Sequence, residues 1–158
     1  MTHRLLRLAT LVLAAAAMTS TVTAHAEDSP EEMAETVAEA ADRCRKMGGT
    51  PETAKILRSD DLNRDGRPDW IADYSKLVCK NGGNPACNPN GCLMQLYYWS
   101  GDDWDKVFED FVKGYKFSTS GPSRLMHVTT YGAPCNRPAN ETCNYTYRLD
   151  KEALTPMR

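Results

Sequence analysis

Asp61, Asn63 and Asp65 put oxygen-bearing side chains at alternate positions of the segment Asp61-Leu62-Asn63-Arg64-Asp65-Gly66-Arg67-Pro68-Asp69. In a tightly turning loop alternate residues point the same way, so these oxygens can face one centre. Gly66 follows at once and supplies the backbone freedom that folds a chain over such a centre. The main-chain carbonyl of Arg67 and the carboxylate of Asp69 extend the series at its seventh and ninth places. Several hard oxygens converging from one short loop suit a hard divalent cation, and calcium, which accepts about six to eight of them in flexible geometry, suits best. Pro68 fixes its own backbone angle and drives Arg67 toward an extended shape, which stiffens the exit. A plain hairpin turn through Asn63–Gly66 is the competing explanation. Three aspartates in one turn repel one another, however, and a turn alone needs only one or two such residues.

On Asp61, Asn63, Asp65, Gly66 and Asp69 the segment resembles the calcium loops of FG-GAP/VCBS-type repeats, and more loosely those of EF-hands. It departs from the EF-hand at the twelfth place, where Ala72 stands instead of a bidentate glutamate, and in being followed by a strand-like run. The resemblance implies a structural calcium ion held by Asp61, Asn63, Asp65, Arg67 and Asp69. It does not imply a propeller, because a single copy cannot build a repeat array.

Cys44, Cys79, Cys87, Cys92, Cys135 and Cys143 are the other residues with chemistry to offer. Six cysteines allow about 15 pairings. Proximity favours Cys87 with Cys92 and Cys135 with Cys143, each bracketing a short loop, and leaves Cys44 for Cys79. A zinc site finds little support, since Cys87-x4-Cys92 has no partnering CxxC. His127 stands alone in a strand-like run, and there is no nucleophile elbow, zinc-protease motif or phosphate-cradling glycine loop. Catalysis is therefore not expected; a hydrolase using carboxylates and the bound ion is the residual enzymatic possibility. Tyr97, Tyr98, Trp99 and Trp104 offer either a recognition patch or core and hairpin bracing, and the second is favoured. Those facing away from Met94 and Leu96 are expected to be the more exposed.

Positioning these groups begins with export. Arg4 and Arg7, the apolar run Leu5–Ala17 and the small residues Ala24-His25-Ala26 read as a signal peptide over 1–26, cleaved before Glu27. The apolar run is too short to span a membrane, which takes about 20 residues. Roughly 130 residues remain as 27–158, one ordinary domain. Two of the 19 Lys and Arg and none of the 21 Asp and Glu lie in the leader, so the processed chain is mildly acidic. That argues against nucleic acid or an anionic membrane as partner. Export also places the cysteines where disulfides form.

The spacing of Met33, Val37, Ala40, Ala41 and Cys44 predicts a helix over 31–47, capped by Ser29 and stopped by Gly48-Gly49. Strands are expected at Ala54–Arg58, Trp70–Tyr74, Leu93–Trp99, Leu125–Tyr131 and Asn144–Leu149, with a loop over Cys79–Cys92. The run 104–113 matches a helical stripe, but its residue types favour a bulged strand, with Tyr115–Phe117 expected to continue it. The expected fold is α+β: an N-terminal helix packed on a mostly antiparallel, disulfide-stapled sheet. The whole resembles small exported bacterial proteins, periplasmic or secreted. The expected function is a calcium-binding structural or binding module that meets an unknown protein or envelope component. The alternative is an inhibitor of an envelope-directed enzyme, using the loops Asn81–Gly91 and Pro134–Thr142 as wedges.

Overall fold

The computed structural model describes residues 29–132, 135–138 and 140–157; the expected leader, 1–26, lies outside them. The first element, α1 (Glu31–Lys46), buries Met33, Ala40, Ala41 and Cys44 along one stripe. Glu31 and Glu32 stand in its first turn and Arg43, Arg45 and Lys46 in its last, each matching the helix dipole. Its N-cap is Pro30, not Ser29: Pro30 is extended (φ −49°, ψ 134°), makes no side-chain capping bond, and its carbonyl accepts the Ala34 N–H at 3.1 Å. Proline cannot donate and is already set at the helical φ, so the helix starts at it without a side-chain cap.

The helix stops where Gly48 turns left-handed (φ 79°) and the Gly49 N–H returns to the Cys44 carbonyl at 2.9 Å. Gly49 is needed for a second reason: a Cβ there would lie 2.4 Å from the Cys79 sulfur and 3.0 Å from that of Cys44. Gly49→Ala is therefore expected to cost about 1–3 kcal/mol by overpacking against the staple, measured as a lower urea midpoint at unchanged m-value.

Among the described residues eleven strands follow: β1 (Thr50–Glu52), β2 (Leu57–Asp60), β3 (Asp69–Asp73), β4 (Val78–Lys80), β5 (Cys87–Asn88), β6 (Gly91–Trp99), β7 (Trp104–Val112), β8 (Gly114–Ser120), β9 (Ser123–Tyr131), β10 (Thr142–Leu149) and β11 (Leu154–Met157). They form three antiparallel sheets, not the single sheet expected. One is the β1–β4 pair. The second runs β2-β3-β6, with β5 and β7 also paired to β6. The third runs β11-β10-β9-β8. The molecule is thus mostly sheet, with one helix among the described residues. Among the described residues no helix is long and apolar enough to cross a membrane.

Several boundaries differ from expectation. Ala54–Ile56 is a turn and the strand starts at Leu57; Tyr74 opens a short 3-10 turn; β4 runs into the expected loop and β5 lies inside it. β1 and β11, only 3 and 4 residues long, are too short for a periodicity to register. Trp104–Val112 is a strand, and its register against β6 slips at Val107, between the pairs Leu96–Phe108 and Tyr97–Lys106. The bulge explains its helix-like pattern, because one extra residue breaks the alternation of two.

Two apolar clusters organise the interior. Ile71, Met94, Leu96 and Tyr98 of the second sheet share one with Met126, Val128 and Leu149 of the third. Met33 and Ala40 of α1 share the other with Ile56, Ala72, Tyr74 and Tyr97. Alternate residues of β6 enter different clusters, so both of its faces are buried. Tyr97 is 1 % exposed, against the expectation that aromatics facing away from Met94 and Leu96 are the more exposed, whereas Trp99 on the same face is half-buried; Gln95 is 2 % exposed. Gln95 is tolerated there because it accepts from the Tyr74 hydroxyl at 3.0 Å and donates to Glu109 at 2.7 Å. Trp99 and Trp104, paired across the hairpin at 5.0 Å edge to face, brace its end. The three disulfides are Cys44–Cys79, Cys87–Cys92 and Cys135–Cys143, the pairing that proximity favoured.

Candidate metal site

The segment Asp61–Pro68 connects β2 to β3, whose last pair is Asp60 with Asp69. Arg64 (φ 61°) and Gly66 (φ 90°) both turn left-handed, which lets so short a connection close on itself. Leu62 is fully buried in the inter-sheet cluster and pins the loop to the core. Three further ties reach the third sheet. The Asn63 side-chain amide donates to the Lys151 carbonyl at 3.0 Å. Arg64 donates to the Pro122 carbonyl at 3.0 Å and to the Thr119 hydroxyl at 3.2 Å. Arg124 donates to the Asp61 carbonyl at 2.8 Å and to both Asp60 oxygens, at 2.6 and 3.3 Å. Arg124→Ala is expected to cost about 1–2 kcal/mol, the value of charge-assisted bonds discounted for partial exposure, read from chemical denaturation of the two proteins side by side.

Within the loop, side-chain oxygens are oriented by main-chain amides. Asp61 accepts from the N–H groups of Asp65 and Gly66, each at 3.2 Å. The Asn63 oxygen accepts the Asp65 N–H at 3.0 Å, and Asp65 accepts the Arg67 N–H at 2.8 Å. Asp69, fully buried, reaches back with Oδ2 to the N–H groups of Leu62 at 2.8 Å and Asn63 at 3.2 Å. Its Oδ1 is buried and has no hydrogen-bond partner. Burial pushes the Asp69 carboxyl up from 3.8 to about 6, against the pull of the nearby Leu62, Asn63 and Trp99 amides; the charge of Asp65 adds to the rise.

Asp61, Asn63, Asp65 and Asp69 are thus joined in one hydrogen-bonded loop. Arg67 enters through its N–H, and its side chain is exposed. Ala72, at the twelfth place, is fully buried in the second cluster and can contribute no oxygen from its side chain. Among the described residues, no group of three or more His, Cys, Asp or Glu side chains is placed to hold a metal on its own. Any cation here would therefore draw on Asn63 and on main-chain carbonyls as well as carboxylates, which is how calcium loops of this length work. Arg124 and Lys151, the clamps from the third sheet, carry no signal in the sequence, because only cross-sheet packing brings them to the loop.

His127 is not isolated. On three neighbouring strands the Ser118 hydroxyl lies 2.7 Å from its Nε2 and the Thr146 hydroxyl 3.1 Å from its Nδ1. A nucleophile and base can sit at such a distance. Yet the ring's far nitrogen meets a hydroxyl where a catalytic imidazole usually meets a carboxylate, so this contact brings no negative charge to stabilise an imidazolium. Comparison of the chain with protein-family models, with curated proteins and with solved structures finds no match.

Proposed function

We propose that the protein is an exported, periplasmic or secreted, disulfide-stapled binding module in which the β2–β3 loop holds one structural calcium ion. The observation that carries this reading is Asp69: a carboxylate buried completely, with one oxygen spent on two loop amides and the other left without a partner. A buried charge in that condition is costly unless something positive completes it, and Asp61, Asn63 and Asp65 lie in the same loop. Three disulfides support the extracytoplasmic setting, where such bonds persist. In this reading the ion stiffens the clamp between the second and third sheets and takes no part in chemistry.

Bound calcium would stabilise the fold by mass action. At ten times the dissociation constant the gain is about 1.4 kcal/mol, or about 5 °C in melting temperature for a domain of this size. Melting in about 10 mM calcium, set by the weak affinity typical of extracellular sites, is expected to rise by that amount over melting in chelator. Identical melting curves would refute the ion site. A second reading, inhibition of an envelope-directed enzyme, is favoured by the stiffness of the loop Asn81–Gly91. Asn84 donates to the Tyr74 carbonyl at 2.8 Å and the Leu77 carbonyl at 3.0 Å and accepts the Ala86 N–H at 2.9 Å, while Cys87–Cys92 closes the loop end. Of the other candidate wedge, Pro134–Thr142, residues 134 and 139 lie outside the described residues. Addition of the protein to a cell-wall hydrolase assay separates the readings: unchanged turnover leaves only the structural module.

A further inference from the structure

A cavity of about 460 Å³ opens between the start of β8 and the turn after β3, a volume in the range that takes a small organic ligand. Arg58, Lys76, Lys113 and Lys116 line it, against Asp73 as the sole carboxylate in its wall. The chain as a whole has a net charge of −2, so four cations around one concavity run against its overall balance. Like charges brought together cost free energy unless an anion completes them.

Asp73 supplies only part of that completion, since it pairs with Lys76 alone. Its Oδ1 is engaged by the Ser75 N–H at 3.1 Å and the Ser75 hydroxyl at 2.5 Å. Its Oδ2 accepts the Tyr115 hydroxyl at 3.1 Å and stands 3.9 Å from the Lys76 ammonium. Arg58 is held over the Phe117 ring, 5.5 Å from its centroid, and lies 3.9 Å from Asp60. Lys113 rests over the Tyr131 ring at 4.4 Å, and among the described residues it has no ion-pair partner. Arg58 and Lys113 are thus held by aromatic faces, which seat a guanidinium or ammonium without neutralising it, while Lys76 leans on Asp73. Beside them, Ser75 and Tyr115 bring hydroxyls into the same wall. A second cavity, of about 470 Å³, shares Gly114, Tyr115 and Lys116 with the first and adds His127, Thr129 and Asn144, all hydrogen-bonding groups.

We propose that these adjoining cavities bind an anionic saccharide, its acidic group among the four cations and its ring hydroxyls against the hydroxyl, imidazole and amide groups around β8. The charged half selects the acid and the polar half selects a polyol over a bare ion. The acidic group can be a carboxylate, a sulfate or a phosphate, and the probes distinguish these.

The test is calorimetric titration of the disulfide-bonded protein at about 0.01 M ionic strength, where the Debye length is about 30 Å. The probes are a galacturonic acid trisaccharide, a heparin-derived disaccharide and glucose 6-phosphate, with neutral maltotriose and inorganic sulfate as controls. At least one acidic sugar is expected to bind, and the one that does identifies the group. Lys113 and Lys116 are both exposed, so Lys113→Glu with Lys116→Glu should leave the melting temperature in place and weaken binding by about tenfold or more. Asp65→Ala, in the cation loop, should leave it unchanged, which keeps this site separate from the calcium reading. No binding by any acidic sugar, equal binding of maltotriose or inorganic sulfate, or an unmoved affinity in the double variant would each overturn the proposal.

Discussion

Cys44→Ala combined with Cys79→Ala is expected to lower the free energy of unfolding by about 4 kcal/mol, the chain-entropy value for a loop of 35 residues. The same argument gives about 2 kcal/mol for Cys87–Cys92, which closes only 5. The difference follows from what each bond forbids in the unfolded chain. Cys44 ends the buried stripe of α1 and Cys79 lies in β4, so their bond ties the helix to the strands, whereas Cys87 and Cys92 already pair across β5 and β6. Alanine is the appropriate replacement because both sulfurs are buried and a serine hydroxyl would add a desolvation cost of its own. For a domain whose total stability lies in the range of about 5–15 kcal/mol, loss of the first staple removes a large share. Urea unfolding of the two double variants measures it. Equal losses would show that loop closure is not what these bonds contribute.

The second large effect is a pH dependence of unusual sign. Most paired carboxylates stabilise a fold as pH rises. Asp69 does the reverse, because burial carries its carboxyl from 3.8 to about 6. Between those values the folded chain keeps a proton that the unfolded chain has released, so stability falls as pH rises through the window, by about 3 kcal/mol for this one group. Glu109 and Asp150, which hydrogen bonds from Lys106 and Arg148 hold below the usual carboxylate range, act in the ordinary direction at lower pH. They are common to the wild type and an Asp69→Asn variant and cancel between them. In chelator, the stability of the wild type relative to Asp69→Asn should therefore drop by about 2–3 kcal/mol from pH 4 to pH 7. With calcium the drop should shrink, since a nearby cation favours the ionised carboxylate. Parallel pH profiles for the two proteins in chelator would show that Asp69 is not strained by its burial.

What the sequence made legible follows the range of the forces involved. The helix was legible because Met33, Ala40, Ala41 and Cys44 repeat at helical spacing and are buried together. The loop was legible because its side-chain hydrogen bonding is local: the carboxylates of Asp61 and Asp65 take main-chain N–H groups within five positions, and only the Arg124 tie reaches Asp61 from afar. The pairing of the cysteines could be read from proximity because each short loop brings its own ends together. Tyr97 and Gln95 could not be read, since alternation along β6 looks the same whether the second face meets water or another apolar layer. Nor could the division into three sheets, which depends on non-local pairing. The Arg124 clamp and the basic cavity beside β8 are assembled from residues more than 50 positions apart, such as Arg58 and Lys116, and nothing in their local sequence marks them.

The proposed ion site gathers the buried Asp69 carboxylate and its neighbours around a divalent cation. Its most direct test is calorimetric titration of the chelator-treated protein with calcium, beside an Asp65→Ala control. Binding at one site, with a dissociation constant of about 10⁻⁴–10⁻³ M, and its loss in Asp65→Ala are the expected result. A flat titration of the wild type through about 10 mM calcium, well past the range of such sites, would contradict it and leave Asp61–Asp69 as a hydrogen-bonded turn.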